Sequence, residues 1–214
     1  MDPLLNDVPE RLDTARLILR VPQAGDGLAL WSAIRDSMVE LREWMAWAND
    51  EASLETGEVF ARGAHAQFHA RQDLVFYGFA RLDDGSEGPL LVASGLHRVD
   101  WKLGRFEIGY WRRSGFGGQG LVDEVVQALT ALAFERLNAQ RVEIRMDALN
   151  RRSWRVAERC GFTLEGTLRR DSLTPQGQPR DTRVYAKVRG VEWVPPASAP
   201  APAPVSPLSG GDGG

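Results

Sequence analysis

Four glycines fall within six residues, at Gly115, Gly117, Gly118 and Gly120. They stand between an alternating stretch, Phe106, Ile108 and Tyr110 against Glu107, Gly109 and Trp111, and an apolar stripe of Val125, Val126, Leu129, Leu132 and Ala133 at helical spacing. Period-2 alternation argues a strand and 3.6-residue spacing a helix, so the stretch reads as strand, glycine loop, helix. Such a loop leaves backbone N–H groups open at a helix N-terminus, where the peptide dipoles favour negative charge. The simplest ligand for this cradle is a pyrophosphate. Its neighbours Arg112, Arg113 and Gln119 can add side-chain donors.

Other reactive residue types read less sharply. His65 and His69 are spaced i, i+4 on a predicted helix, but no Glu stands between them as a zinc-protease helix needs, so no metal site is assigned. The one cysteine, Cys160, falls on the apolar side of its helix and reads as a buried thiol.

The elements that position the loop are mixed α/β. Residues 1–10 read as a flexible lead-in, loose as far as residue 13, residues 11–193 as the domain, and residues 194–214 as a disordered Pro/Ala/Ser/Gly-rich tail. Strands are expected at Arg16–Val21, Asp73–Leu82, Pro89–Val99, through the alternating stretch, and at Arg141–Asp147, with a closing hairpin of Phe162–Asp171 and Thr182–Arg189. Helices are expected at Leu28–Asp36, Met38–Ala48, Ser53–Arg71 (opened by Ser53 and Glu55) and Asn150–Cys160. Hairpin-length connections make the sheet mainly antiparallel, with six to seven strands and one βαβ crossover at the glycine loop.

Composition bounds the function. A chain of 214 residues with net charge −3 gives no general argument for nucleic acid or an anionic membrane. No run approaches the ~20 apolar residues of a membrane span, and the N-terminus lacks the apolar core of a signal peptide, so the expected setting is cytoplasmic.

Gly115-Phe-Gly-Gly-Gln-Gly120 satisfies the dinucleotide fingerprint G-x-G-x-x-G, with Asp147 at the end of the next strand. Against an NAD-binding reading stand the polar alternation of the preceding strand, the hairpin connections and the single βαβ unit.

A second reading uses more of the chain. Gly117-Gly-Gln-Gly-Leu-Val122 resembles motif A, [R/Q]-x-x-G-x-[G/A], of the GNAT superfamily of N-acetyltransferases. Asn150-Arg-Arg-Ser153, with Glu158-Arg-Cys-Gly-Phe162 and Leu164-Glu-Gly166, resembles its motif B. Asp181 to Tyr185, Glu192-Trp193, Leu12 to Arg20 and the tryptophan helix before Ala48 resemble the ribosomal-protein N-terminal acetyltransferase (RimJ/RimL-like) branch. The likeness covers about residues 11–193. It departs at Gly117, where the family has Arg or Gln, and at Val122, where it has Gly or Ala.

The resemblance implies a sheet splayed around acetyl-CoA and direct attack of a primary amine on its thioester. It implies cofactor contacts from Tyr110, Trp111, Arg112, Gly115, Gly117, Gly118, Gln119, Gly120, Leu121, Val122, Asn150 and Ser153. Backbone N–H groups at Tyr110–Arg112 would polarise the thioester, and Ser153 would protonate the leaving sulfur unless its hydroxyl only caps the helix. Glu107 or Asp171 would be the base, although alternation alone makes Glu107 a solvent-facing strand position. Tyr185 reads as a core tyrosine, Trp44 and Trp47 as core or pocket wall, and Arg151 to Arg155 as a face able to meet the coenzyme 3′-phosphate. The implied partner is an amine acceptor, a protein N-terminus or a small molecule, with a homodimer left open. A non-catalytic acyl-CoA-binding module remains the alternative from a different class.

Overall fold

The computed structural model describes residues 2–48 and 53–194. Residues 195–214 of the expected tail lie outside the described residues. A 3-10 turn at Pro3–Leu5 leads into β1 (Arg11–Asp13) and β2 (Leu17–Arg20), then α1 (Gly27–Trp44) and α2 (Leu54–His69). Next come β3 (Leu74–Arg81), β4 (Glu87–Asp100), β5 (Arg105–Arg112) and α3 (Leu121–Ala131) with a π turn at Leu132–Arg136. The chain closes with β6 (Arg141–Asp147), α4 (Arg151–Arg159), β7 (Thr163–Leu173) and β8 (Pro179–Val188).

The strands form one eight-stranded sheet in the order β1-β2-β3-β4-β5-β6-β8-β7. Every neighbouring pair is antiparallel except β5 and β6. The extra strand relative to expectation is β1, whose Arg11 pairs with Arg20. Just before it, Val8 is buried in the core, so the lead-in is tied down by an apolar anchor at its end.

Two layers of helix cover the sheet. Leu30 and Ala33 of α1 and Ala61 and Ala64 of α2 pack on Val75, Tyr77, Phe79 and Ala93. On the other face Val125, Val126 and Leu129 of α3 and Val156 and Ala157 of α4 join Leu96, Phe106, Ile108, Val142 and Ile144. The first two helices touch backbone to backbone. A Cβ on Gly57 would lie 2.7 Å from the Gly27 carbonyl oxygen, and one on Gly27 would lie 2.7 Å from the Glu58 Cα.

Helix α1 is one helix where a break was expected around Ser37. Its buried residues Leu30, Ala33, Ser37 and Leu41 keep one face, and the Ser37 hydroxyl donates back to the Ala33 carbonyl at 2.7 Å. A serine satisfied this way does not interrupt the helix. Helix α2 starts at Ser53 as expected, but its capping box is closed by Thr56 and not by Glu55.

Candidate active site

The parallel pair organises the site. Strands β5 and β6 are in register only from Arg105–Arg141 to Glu107–Glu143. Beyond Glu107 they fork, and a cavity of about 550 Å³ runs through the gap. It is lined on the α1–α2 face by Trp31, Trp44, Trp47, Phe60, Tyr77 and Trp111, and on the α3–α4 face by Tyr110, Asn150 and Ser153.

Register settles which backbone groups look into the fork. The Arg113 N–H donates to Leu91 of β4, so by strand alternation the N–H groups of Tyr110 and Arg112 point away from β4. They face the unpaired edge, where a thioester carbonyl entering the fork would find donors.

The glycine loop meets α3 just beyond. Gly115, Gly118 and Gly120 have φ of +88°, +75° and +71°, and Gly120 is the N-cap of α3. This left-handed backbone turns the first N–H groups of α3, with Leu121 buried and Val122 packed on the core, toward the loop. Arg16 braces it, donating to the Gln119 carbonyl at 2.6 Å and pairing with Glu124 at 2.7 Å. The guanidinium of Arg112 lies against Gly117, where a Cβ would be 3.1 Å from Nη2. A cation therefore stands beside the motif position that lacks its own. Arg113, expected as another donor, is instead held by Asp36 at 2.5 Å and by Ser32. It ties the loop to α1.

At the other wall Ser153 is not the helix cap. The cap is Asn150, whose Oδ1 accepts from the Ser153 N–H at 3.0 Å. The Ser153 hydroxyl lies 3.1 Å from the Tyr110 hydroxyl, which also donates to the Ser153 carbonyl at 2.9 Å. Burial pushes the Tyr110 phenol well above its ordinary pKa, so it stays a donor. Trp111, expected among the cofactor contacts, points to the opposite face and meets Trp47 with ring centroids 6.0 Å apart.

Of the two expected bases, Glu107 is at the crotch of the fork and Asp171 is not on the cavity wall. Asp171 pairs with Arg145 at 3.0 Å, and it is Arg145 that lines the cavity. Glu107 is mostly enclosed rather than solvent-facing, among the side chains of His97 and Arg98 from β4 and Glu143 and Arg145 from β6. Its Oε2 has no hydrogen-bond partner among the described residues; Arg98 Nε is 3.5 Å away. Burial raises the Glu107 carboxyl pKa, Arg98 opposes the rise, and Glu143 adds to it.

The cavity also holds three residues that sequence reasoning passed over, Asp73, His97 and Arg180, and Asp147, which it weighed only within the dinucleotide reading. The register sets His97 opposite Glu107 and next to Asp73. Elsewhere, His65 Nδ1 is bonded to the Pro22 carbonyl at 2.8 Å and His69 faces Glu10. Tyr185 is buried in the core. Cys160 is buried, and burial pushes its thiol up to about 11.

A single parallel pair forking inside an antiparallel sheet, with a glycine loop at the fork, is the arrangement that the resemblance to N-acetyltransferases implies. The dinucleotide reading lacks the parallel sheet it requires. The family model described as "Acetyltransferase (GNAT) domain" matches residues 16–163. A protein of Bacillus subtilis named as a ribosomal N-acetyltransferase, YdaF, is 30% identical over 178 residues, 83% of this chain and 93% of the relative. The ribosomal-protein-serine acetyltransferase of Escherichia coli is 27% identical over 124 residues, 58% of this chain and 64% of its own. Among solved structures, the microcin self-immunity acetyltransferase MccE, in complex with acetyl-CoA and AMP, superposes with a TM-score of 0.75 at 22% identity, covering 82% of this chain and 93% of that one.

The chain belongs to the GNAT acetyltransferase family. It is an N-acetyltransferase that takes its acetyl group from acetyl-CoA. Among the described residues, no helix is long and apolar enough to cross a membrane.

Proposed function

We propose that this chain acetylates the α-amine of a protein N-terminus, with acetyl-CoA seated in the fork. The observation that carries this is the fork itself: it exposes the β5 edge to one cavity that has the Tyr110–Ser153 hydroxyls on one side and Glu107 on the other. The names of the two relatives support a ribosomal-protein acceptor. The pyrophosphate would lie on the glycine loop and the first turn of α3, with Gly115, Gly117, Gly118, Gln119, Gly120, Leu121 and Val122 offering backbone and Arg112 a guanidinium. The thioester carbonyl would sit against the Tyr110 and Arg112 N–H groups. Glu107 would accept a proton from the acceptor nitrogen, and the Ser153 hydroxyl, held beside that of Tyr110, would donate to the departing sulfur. The site supplies orientation, an oxyanion sink and proton transfer, which is what direct acyl transfer to an amine needs.

The two neighbouring arginines separate binding from scaffolding. Arg112→Ala is expected to weaken acetyl-CoA binding about tenfold, the scale of one charge-assisted contact. Arg113→Ala should lower the thermal midpoint and leave that affinity unchanged. Calorimetric titration checks both, and a larger affinity loss in Arg113→Ala would reverse the assignment.

The acceptor would enter along the tryptophan wall of α1. Trp47, exposed in the turn after α1, would be covered by the acceptor, so Trp47→Ala is expected to raise KM for a peptide acceptor about tenfold, with KM for acetyl-CoA unmoved. The direct test is mass spectrometry of short peptides and small amines after incubation with acetyl-CoA. Acetylation at the peptide α-amine supports the reading, and turnover of small amines alone replaces it with a small-molecule acceptor.

A further inference from the structure

Amide formation removes two protons from one nitrogen, and the cavity contains a second group built to take one. His97 on β4 stands directly opposite Glu107 on β5, which sets their Cα atoms about 5.5 Å apart on the same face of the sheet. Its Nδ1 lies 2.6 Å from Oδ1 of Asp73, which precedes β3 and faces it across the ladder. A carboxylate only accepts, so Nδ1 carries the hydrogen, and in the neutral imidazole Nε2 presents a lone pair. The ring lies flat across two paired glycines. A Cβ on Gly95 would come within 2.9 Å of its Cε1, and one on Gly109 within 3.0 Å of its Cδ2 and 3.2 Å of its Nε2. Any side chain at either position would evict it. Nε2 therefore hangs over Gly109, one residue before the N–H of Tyr110 that faces the fork. Asp73, His97 and Glu107 all line the cavity.

The irregularity of β4 begins immediately after His97. Arg98 has φ +46°, and the register shifts before Asp100. A bulge there re-aims side chains, and Arg98 is turned toward Glu107. The charged groups facing His97 are thus Asp73 from the β3 side, Glu107 with Arg98 from the β5 side, and Glu143 and Arg145 from β6 beyond.

We propose that His97, oriented by Asp73, is a second catalytic proton acceptor, taking at Nε2 the proton that the acceptor brings as an ammonium. The proposal rests on the transferase reading above. An α-amine has a pKa of about 7.7–8.0, so near neutrality it enters largely as R–NH3⁺. His97 takes one proton, and the freed nitrogen pair attacks the thioester carbon while the carbonyl pair moves onto oxygen. Collapse re-forms the carbonyl and expels the C–S pair on sulfur. Glu107 takes the second nitrogen proton, the Ser153 hydroxyl supplies one to the thiolate, and the proton held by Glu107 then passes through water to restore the Ser153 hydroxyl. The balance is one N-acetyl amine, one free thiol and one proton passed to water. His97 is about one-third exposed, which gives that proton a route out. Asp73 is a positioning residue: it fixes the tautomer and the ring.

The test is kcat against pH for the full chain with any amine that the wild type acetylates. His97→Ala should lose about 100-fold in kcat, the scale of one acid–base contribution, with KM for acetyl-CoA and the thermal midpoint little changed. Added imidazole should restore at least tenfold of that loss, in proportion to its free-base fraction, because the glycine floor leaves the ring's place open. His97→Gln, which fills the space but takes no proton, should be equally slow and not rescued. A wild-type kcat in His97→Ala, or a loss that imidazole does not restore, overturns the role of His97 while leaving the transferase reading standing. A wild type that binds acetyl-CoA and acetylates no amine overturns both.

Discussion

Replacing Gly120 with Asp is expected to weaken acetyl-CoA binding about 100-fold, equivalent to about 2.7 kcal/mol. Gly120 holds the N-cap of α3 at φ +71°, so any L-residue there strains the turn by about 1–2 kcal/mol. Space is not the obstacle: the nearest atom to a new Cβ is Arg16 Nη2 at 3.8 Å. Gly120→Ala therefore measures backbone strain alone and should cost little affinity. Asp adds a negative charge at the helix end where the pyrophosphate would bind, and Arg16 is already committed to Glu124 and Gln119. The check is a titration of both variants with acetyl-CoA. If the Asp variant binds like the wild type, the pyrophosphate lies elsewhere and the loop assignment is wrong.

The second large effect is expected at Glu107→Gln. Gln keeps the shape and cannot take a proton, so kcat should fall about 100-fold, with acetyl-CoA affinity unchanged. Burial raises this carboxyl pKa, partly offset by Arg98 and reinforced by Glu143. The acid limb of the wild-type profile should accordingly lie above the ordinary carboxylate range and be altered in the variant. Stability should move in the opposite sense. With the folded pKa above the unfolded one, ionising Glu107 opposes folding, and that penalty is absent below the unfolded pKa and develops as pH rises through the folded one. Glu107→Gln should thus melt higher than the wild type near pH 8 and converge with it near pH 4. An unaltered pH–rate profile would remove Glu107 as a base.

These predictions rest on residues of unequal legibility. The glycine loop could be read because turn chemistry and helix starts are local: Gly120 and the stripe of Val125, Val126 and Leu129 need no distant partner to be recognised. The strand Arg141–Asp147 was legible for the same reason. The split of α1 at Ser37 misled because a serine's propensity is local while its bond to the Ala33 carbonyl is visible only in the folded helix. Strand β1 was missed because three residues with no apolar alternation are stabilised by pairing with β2, not by their own pattern. Alternation assigned Glu107 a face but not its neighbours there, His97, Arg98, Glu143 and Arg145, which enclose it. Asp171 looked available until Arg145 was seen to hold it. His97 carried no motif at all; its meaning comes from Asp73, Gly95, Gly109 and Glu107, which register alone assembles. What depends on neighbouring residues can be read from a sequence, whereas what depends on which strand pairs with which cannot.

The most direct measurement is the release of free coenzyme A thiol from acetyl-CoA, followed in steady state against a panel of N-terminal peptides and small amines. The account predicts release that requires an amine and matches the N-acetylated product one for one. Tight binding of acetyl-CoA with no amine-dependent release across the panel would contradict it, and would leave a fork that holds the acyl carrier without using it.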